Sequence, residues 1–303
     1  MRFSVWPNTD LTFADLATVV QLSERLGYHA TYLPDHFMPH DGEEGASNPD
    51  RLEATTTLAA LASLTTSIRL GILVASATYR HPAVYAKSMC ALDRISDGRA
   101  IVGMGAGWQE NEHSAYGLHL DPVSERIDRF DEYVQVVSSM LSNAITTFDG
   151  RFFTLRDAPC DPRPVQEHVA ILLGVRGRRR TMRLAARHAT IWNAWATPET
   201  LRELGAVLDA HCEAEGRAAS DVQRSVNAGL FLSEDEGWLA QFRQPGGSHP
   251  TLVGRPSEVL DTVGRYREAG CQELILPFDT DGSDRHLDML ELFQREVAVH
   301  FTT

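Results

Sequence analysis

The sequence predicts an α/β fold, a (β/α)8 TIM barrel with insertions after strands 2, 4 and 7 and an excursion before strand 5. Short β-rich runs alternate with longer amphipathic ones along the whole chain, the pattern of successive strand and helix units rather than of separate sheets and bundles. Eight such units can be counted in the 303 residues. That length suits one barrel of roughly 250 residues plus insertions, and no Gly/Ser-rich linker or longer repeat divides it, so residues 1–303 are expected to form a single domain.

Residues 3–6 read as strand one, and 13–26 as a helix with Leu16, Val19, Val20 and Leu22 at helical spacing, closed by Gly27. Strand two is 28–33. A polar loop over 36–50 precedes an Ala-rich helix at 53–64 and the β-branched strand three at 68–74. Pro82 opens a helix over 82–95, where the first turn tolerates it, and strand four follows at 100–104. Residues 124–141 carry Ile127, Phe130, Val134, Val137 and Leu141 at helical spacing, whereas 143–168 lose periodicity around Asp149-Gly150, Pro159, Pro162 and Pro164. Strand five is 169–173, a helix spans 181–189, strand six is a brief 190–192, and 198–215 is helical. Strand seven lies within 222–232. Residues 233–256, with Gly246-Gly247 and Pro250, read as loop; 257–269 is a helix closed by Gly270, 273–277 the last strand, and 284–299 the terminal helix.

Composition narrows the function classes. Lys and Arg total 28 against 41 Asp and Glu, a formal charge of -13, which repels nucleic acid and anionic membranes. Neither is an expected partner. Cys90, Cys160, Cys212 and Cys271 form no CxxC or CxxH spacing, so no zinc site or disulfide framework is indicated and a reducing cytoplasm is the expected home. The first residues, MRFSVWPNTD, lack a basic n-region followed by an apolar run, and no segment reaches the ~18 apolar residues of a membrane span.

In such barrels the loops after the strands build the site. Asp35-His36 follows strand two and pairs a carboxylate with the side chain that titrates nearest neutrality, suited to proton exchange; the alternative reading is an ordinary solvated pair. Gly103, Gly105 and Gly107 follow strand four, where missing side chains let a ligand approach the backbone, although a plain tight turn has the same composition and GxGxxG is absent. After strand five, Gly174-Val175-Arg176-Gly177-Arg178-Arg179-Arg180 precedes a helix whose free N–H groups favour an anion, and the arginines add bidentate phosphate donors. Trp6, Trp192 and Phe278, near strand ends, are candidates for an apolar substrate wall. His36, His40, Asp41, Glu43 and Glu44 could suit a metal-dependent hydrolase, but no HxH follows strand one and no metal is expected.

Four segments, LGYHATYLPDHF, IRLGILVASATYRHPAVYAK, LDRISDGRAIVGMGAGWQENEHSAYG and MRLAARHATIWN, together resemble the bacterial-luciferase-like family, in its F420-dependent oxidoreductase branch, over nearly the whole chain. The resemblance implies that Asp35 and His36 stand beside a deazaflavin ring, with His36 as proton donor or acceptor and Asp35 orienting it. It implies a non-prolyl cis peptide near Leu73-Val74, with Leu73, Val74 and Ala75 behind the ring. It also implies that Gly105, Ala106, Gly107 and Trp108 line the cofactor and that Gly174, Val175, Arg176, Gly177, Arg178 and Arg179 hold its phosphate. The Arg-rich run departs from the usual glycine-rich loop, and Trp108 replaces the acid of the sugar-phosphate dehydrogenases, so a sugar phosphate is not the expected substrate. The implied activity is F420-dependent hydride transfer between the deazaflavin C5 and a small organic molecule, by a homodimer. The alternatives are an FMN-dependent monooxygenase or a non-catalytic flavin-binding barrel.

Overall fold

The computed structural model describes residues 1–7, 9–40, 51–243, 249–278 and 284–301, without the Phe278 and Asp284 side chains. In chain order the first half contains β1 (Arg2–Pro7), α1 (Phe13–Arg25), β2 (Ala30–Leu33), α2 (Ala54–Leu64), β3 (Arg69–Ile72), the short β4 (Ala75–Ser76), α3 (Pro82–Ile95), β5 (Ala100–Gly105), α4 (Glu110–Tyr116) and α5 (Val123–Ser142). The second half contains β6 (Ile145–Asp149), β7 (Thr154–Pro159), β8 (Ala170–Gly174), α6 (Arg180–His188), β9 (Ile191–Trp195), α7 (Pro198–Ala214), β10 (Gln223–Asn227), β11 (Gly229–Leu232), α8 (Glu236–Leu239), β12 (Thr251–Gly254), α9 (Pro256–Glu268), β13 (Glu273–Phe278) and α10 (Asp284–Glu296).

Eight parallel strands close a barrel in the order β1, β2, β3, β5, β8, β9, β10, β13 and back to β1. Arg2 opposite Glu273 through Pro7 opposite Phe278 joins first strand to last, and Leu70 opposite Ala100 joins β3 to β5. Alternation divides each strand between two layers. Tyr32, Ile101, Leu172, Ile191 and Ile275 fill the interior, and a larger cluster, including Val5, Leu33, Val102, Leu173, Trp192 and Leu274, packs between strands and helices.

Local chemistry sets the helix boundaries. Thr12 caps α1 by accepting from Asp15 N at 3.2 Å, Pro82 and Pro198 stand in the first turns of α3 and α7, and Gly27 and Gly270 take the left-handed conformation just past α1 and α9.

The structure departs from the sequence expectations in four places. Residues 143–168, expected only as an excursion before strand five, contain the antiparallel hairpin β6–β7, a two-stranded sheet of its own. The supposed loop at 233–256 contains α8 and β12, the latter paired in parallel with β11; Gly246 and Gly247 lie outside the described residues. Strand six extends to Trp195, because Asn193 faces the interior and bonds Ser225 at 2.9 Å and Asn227 at 3.0 Å. Strand three stops at Ile72; the Leu73-Val74 peptide is cis and pairing resumes at Ala75 opposite Met104. Among the described residues no helix is long and apolar enough to cross a membrane. Cys90 and Cys160, distant in sequence, lie with sulfurs 3.3 Å apart; all four cysteines are free and buried.

Candidate active site at the carboxyl ends of the strands

Parallel strands that all enter from one end place the residues following them on one rim. Asp35, two residues past β2, is almost fully buried, and its carboxylate is gripped by Arg80 in a fork, Nη1 to Oδ2 at 2.6 Å and Nη2 to Oδ1 at 2.9 Å, while Ser76 N donates to Oδ2 at 3.0 Å. Arg80 also pairs with Glu53, the N-cap of α2. Burial opposes the Glu53 charge, but N–H and hydroxyl donors at Thr56 and Thr55 and the Arg80 guanidinium hold its carboxyl down at about 2. Asp35 therefore ties the end of β2 to β4 and α2. It does not orient His36, contrary to the sequence expectation, because both of its oxygens are taken by the guanidinium and one also by Ser76 N.

His36 is oriented by Glu112 instead, whose Oε2 lies 3.0 Å from Nδ1. Glu112 has no exposed side-chain surface and also accepts from Tyr79 OH, Phe37 N and, at 3.2 Å, Met38 N. Burial alone would raise its carboxyl; the bonds from His36, Tyr79 and Phe37 N outweigh burial and hold it below the usual range. Burial and the Glu112 carboxylate push the Tyr79 phenol upward. The indole of Trp108, about half exposed, meets the His36 ring edge-on at 5.6 Å, and His40 lies against Trp108 at 5.0 Å. Asp41, Glu43 and Glu44 lie outside the described residues, so the acidic part of that loop has no structural account.

Beside this network the barrel mouth is shaped around Val74. A Cβ on Gly105 would come within 2.4 Å of Val74 Cγ2 and one on Gly174 within 2.8 Å of Val74 Cγ1, so both glycines make room for it. Leu73 and Ala75 on either side are buried, leaving Val74 partly exposed at the mouth. Gly107 takes φ +83, and a Cβ there would crowd the hydroxyls of Ser76 and Thr78. Thr78 Oγ1 in turn lies 2.7 Å from Nε2 of the buried His113, whose Nδ1 lies 2.6 Å from Gln109 O.

The arginine loop separates into two sets. Arg178 pairs with Glu203 at 2.8 Å and Arg180 with Asp128, whereas Arg176 and Arg179 carry no ion pair among the described residues and are exposed just before α6. Val175 is buried, its N–H donating to Asn193 O at 3.1 Å. Across the rim, burial and the Arg176 charge lower the His249 imidazole, which stacks on Trp195 at 4.2 Å. Trp195 meets Trp6 at 5.7 Å.

Trp192 cannot join that wall. It is completely buried between barrel and helices, and its indole N–H donates to Val175 O at 2.8 Å. Trp195, three residues on, faces inward and meets Trp6 instead. The Phe278 side chain is not among those described. Glu112, Tyr79, Arg80 and Trp195 escaped the sequence reading.

The profile of the luciferase-like monooxygenases matches residues 1–238. The chain belongs to this family. An uncharacterized protein of Mycobacterium tuberculosis is 30% identical over 264 residues, covering 83% of this chain and 91% of its own length. A relative from Microbacterium testaceum, an F420-dependent glucose-6-phosphate dehydrogenase, is 32% identical over 76% of this chain and 66% of its own length. The solved structure of an F420-dependent secondary alcohol dehydrogenase with an F420-acetone adduct superposes with a TM-score of 0.84 at 18% identity, covering 98% of this chain and 99% of that one, which establishes the shared fold.

Proposed function

We propose that this luciferase-like chain is an F420-dependent oxidoreductase acting on a small organic substrate. The observation that carries the reading is the pairing of His36 with a buried carboxylate on the same rim as Val74, seated in the space left by Gly105 and Gly174, and an anion-ready turn before α6. The F420-dependent relatives support the choice of cofactor. The residues present fit such a group: Val74 offers an apolar support, and the start of α6 with Arg176 and Arg179 offers a phosphate N–H groups and guanidinium donors that are uncommitted among the described residues.

F420, when bound, supplies a ring carbon that gives or accepts a hydride. The protein would hold it through Val74, Gly105 to Trp108 and the loop from Gly174 to Arg179. Trp6 and Trp195 would cover the substrate and keep water out. His36, with Nδ1 engaged by Glu112, would hold or move the substrate's proton at Nε2. Asp35 would keep the end of β2 in place through Arg80.

An FMN-dependent monooxygenase on the same rim is the second reading, favoured by the family profile itself. Titration of the purified protein with oxidised and reduced F420 and FMN, followed by absorbance and fluorescence, separates the two. Selective F420 binding with no oxygen uptake supports our proposal; oxygen consumption with reduced FMN favours the monooxygenase, and indifference to both cofactors overturns either.

A further inference from the structure

Glu112 presents an unusual hydrogen-bond balance. Its carboxylate, without exposed surface, is met by donors alone: Phe37 N and Met38 N at Oε1, Tyr79 OH and His36 Nδ1 at Oε2. The two backbone N–H groups can only donate, the network holds the acid ionised, and to an ionised acid the phenol donates as well. An ionised carboxylate accepts and cannot give, so the hydrogen between it and His36 belongs to Nδ1. The lone pair of the neutral ring is then left on Nε2, which has no partner among the described residues.

We infer that Glu112, with Tyr79 as its second donor, is a positioning residue that fixes His36 as the Nδ1–H tautomer and so selects Nε2 as the atom that takes up a proton. The inference rests on the proton role of His36 proposed above. Tyr79 has its own part. Its hydroxyl shares Oε2 with the imidazole and is held in place by Phe37, which stacks on its ring at 4.8 Å. Among the described residues the groups around His36 do not offer Nδ1 a rival acceptor: Trp108 approaches edge-on, His40 lies against Trp108, and the Asp35 oxygens are occupied by Arg80 and Ser76 N. The specificity of the arrangement lies in charge as well as distance. A glutamine at 112 could keep its oxygen on Phe37 N and Met38 N, but its amide would then present N–H to His36 and Tyr79. Nδ1 would have to accept, its hydrogen would move to Nε2, and the base would be lost at the atom where it is needed.

The test reads the tautomer directly. Protein labelled with 15N-histidine is examined without cofactor by long-range 1H–15N correlation at a pH where the ring is neutral, and the His36 signals are assigned by their absence in His36→Asn. The expected result is a protonated, pyrrole-type Nδ1 and a pyridine-type Nε2 in the wild type and in Glu112→Asp, with the assignment reversed in Glu112→Gln. Tyr79→Phe should keep the wild-type tautomer. In the loaded enzyme Glu112→Gln should lower kcat at least tenfold while cofactor Kd changes less than threefold, and Glu112→Asp should restore part of the loss. A wild-type spectrum with hydrogen on Nε2 overturns the inference with no variant required, as does an unchanged tautomer in a folded Glu112→Gln. If the tautomer is as expected but His36→Asn turns over normally, the proton role fails and the positioning by Glu112 stands.

Discussion

Asp35 and His36 are neighbours in sequence, yet their side chains answer to different partners. Asp35 is consumed by Arg80 and Ser76 N, whereas His36 turns toward Glu112, more than seventy residues away. His36→Ala should lower kcat by about 10²- to 10⁴-fold, the usual weight of a positioned proton carrier, with cofactor Kd unchanged; steady-state kinetics at saturating cofactor check this, and undiminished turnover would remove His36 from the chemistry. Arg80→Ala should act differently. It leaves Asp35 and Glu53 as two unpaired carboxylates, one buried, and should cost about 3 to 5 kcal/mol of stability, read from denaturant unfolding. The dipeptide that marks the site was visible in the sequence. Its partners were not, because Glu112 and Arg80 are chosen by the packing of other loops.

At the scale of elements, the turn between β8 and α6 combines a helix N-terminus with arginines of two kinds. Arg176 and Arg179 are uncommitted among the described residues, whereas Arg178 is engaged with Glu203. The double variant Arg176→Ala, Arg179→Ala should weaken binding of a phosphate-bearing cofactor by about 10- to 100-fold, the loss expected of charge-assisted hydrogen bonds, while Arg178→Ala should change it little. Fluorescence titration in both variants checks the division; equal losses would refute it. The glycines of β5 and β8 make a second element-scale prediction. Gly105→Ala drives a methyl into Val74 and should destabilise by about 1 to 3 kcal/mol and weaken cofactor binding together. Sequence alone exposed the glycine turn and the arginine run. The short helix α4 escaped it: Glu110–Tyr116 has only seven residues and is mostly polar, so its stability comes from contacts such as Asn111 to Pro39 O and Gln109 to Met38 O.

For the whole molecule, pH links charge to stability. Glu24 accepts from Thr66, Ser67 and Ile68 N–H groups in the turn that leads into β3; burial opposes its charge, but these bonds hold its carboxyl at about 2 against an unfolded value near 4.3. A carboxyl depressed on folding contributes stability that is present above the unfolded value and is lost as pH falls through the folded one. Glu24→Gln should therefore lower stability by about 1 to 2 kcal/mol at pH 6 to 7, after allowance for solvent screening, and the difference should shrink between about pH 5 and pH 2. Thermal unfolding of both proteins across that range tests the sign; a gap that widens toward acid would contradict it.

The alternation of β-branched runs with amphipathic helices, the capping glycines and the prolines of the first turns determined the succession of strands and helices by themselves, because strand and helix periods and caps are local properties of the chain. The strand-end motifs likewise marked the rim, since every parallel strand finishes on the same side. Only the tertiary structure decided which residues meet there. Burial of Glu112 against four donors, the fork of Arg80 on Asp35, and the inward face of Trp195 rather than Trp192 follow from barrel closure and strand register. Those are long-range matters: a polar side chain finds its partner by packing across the molecule, and no spacing in the sequence encodes the distance between two loops.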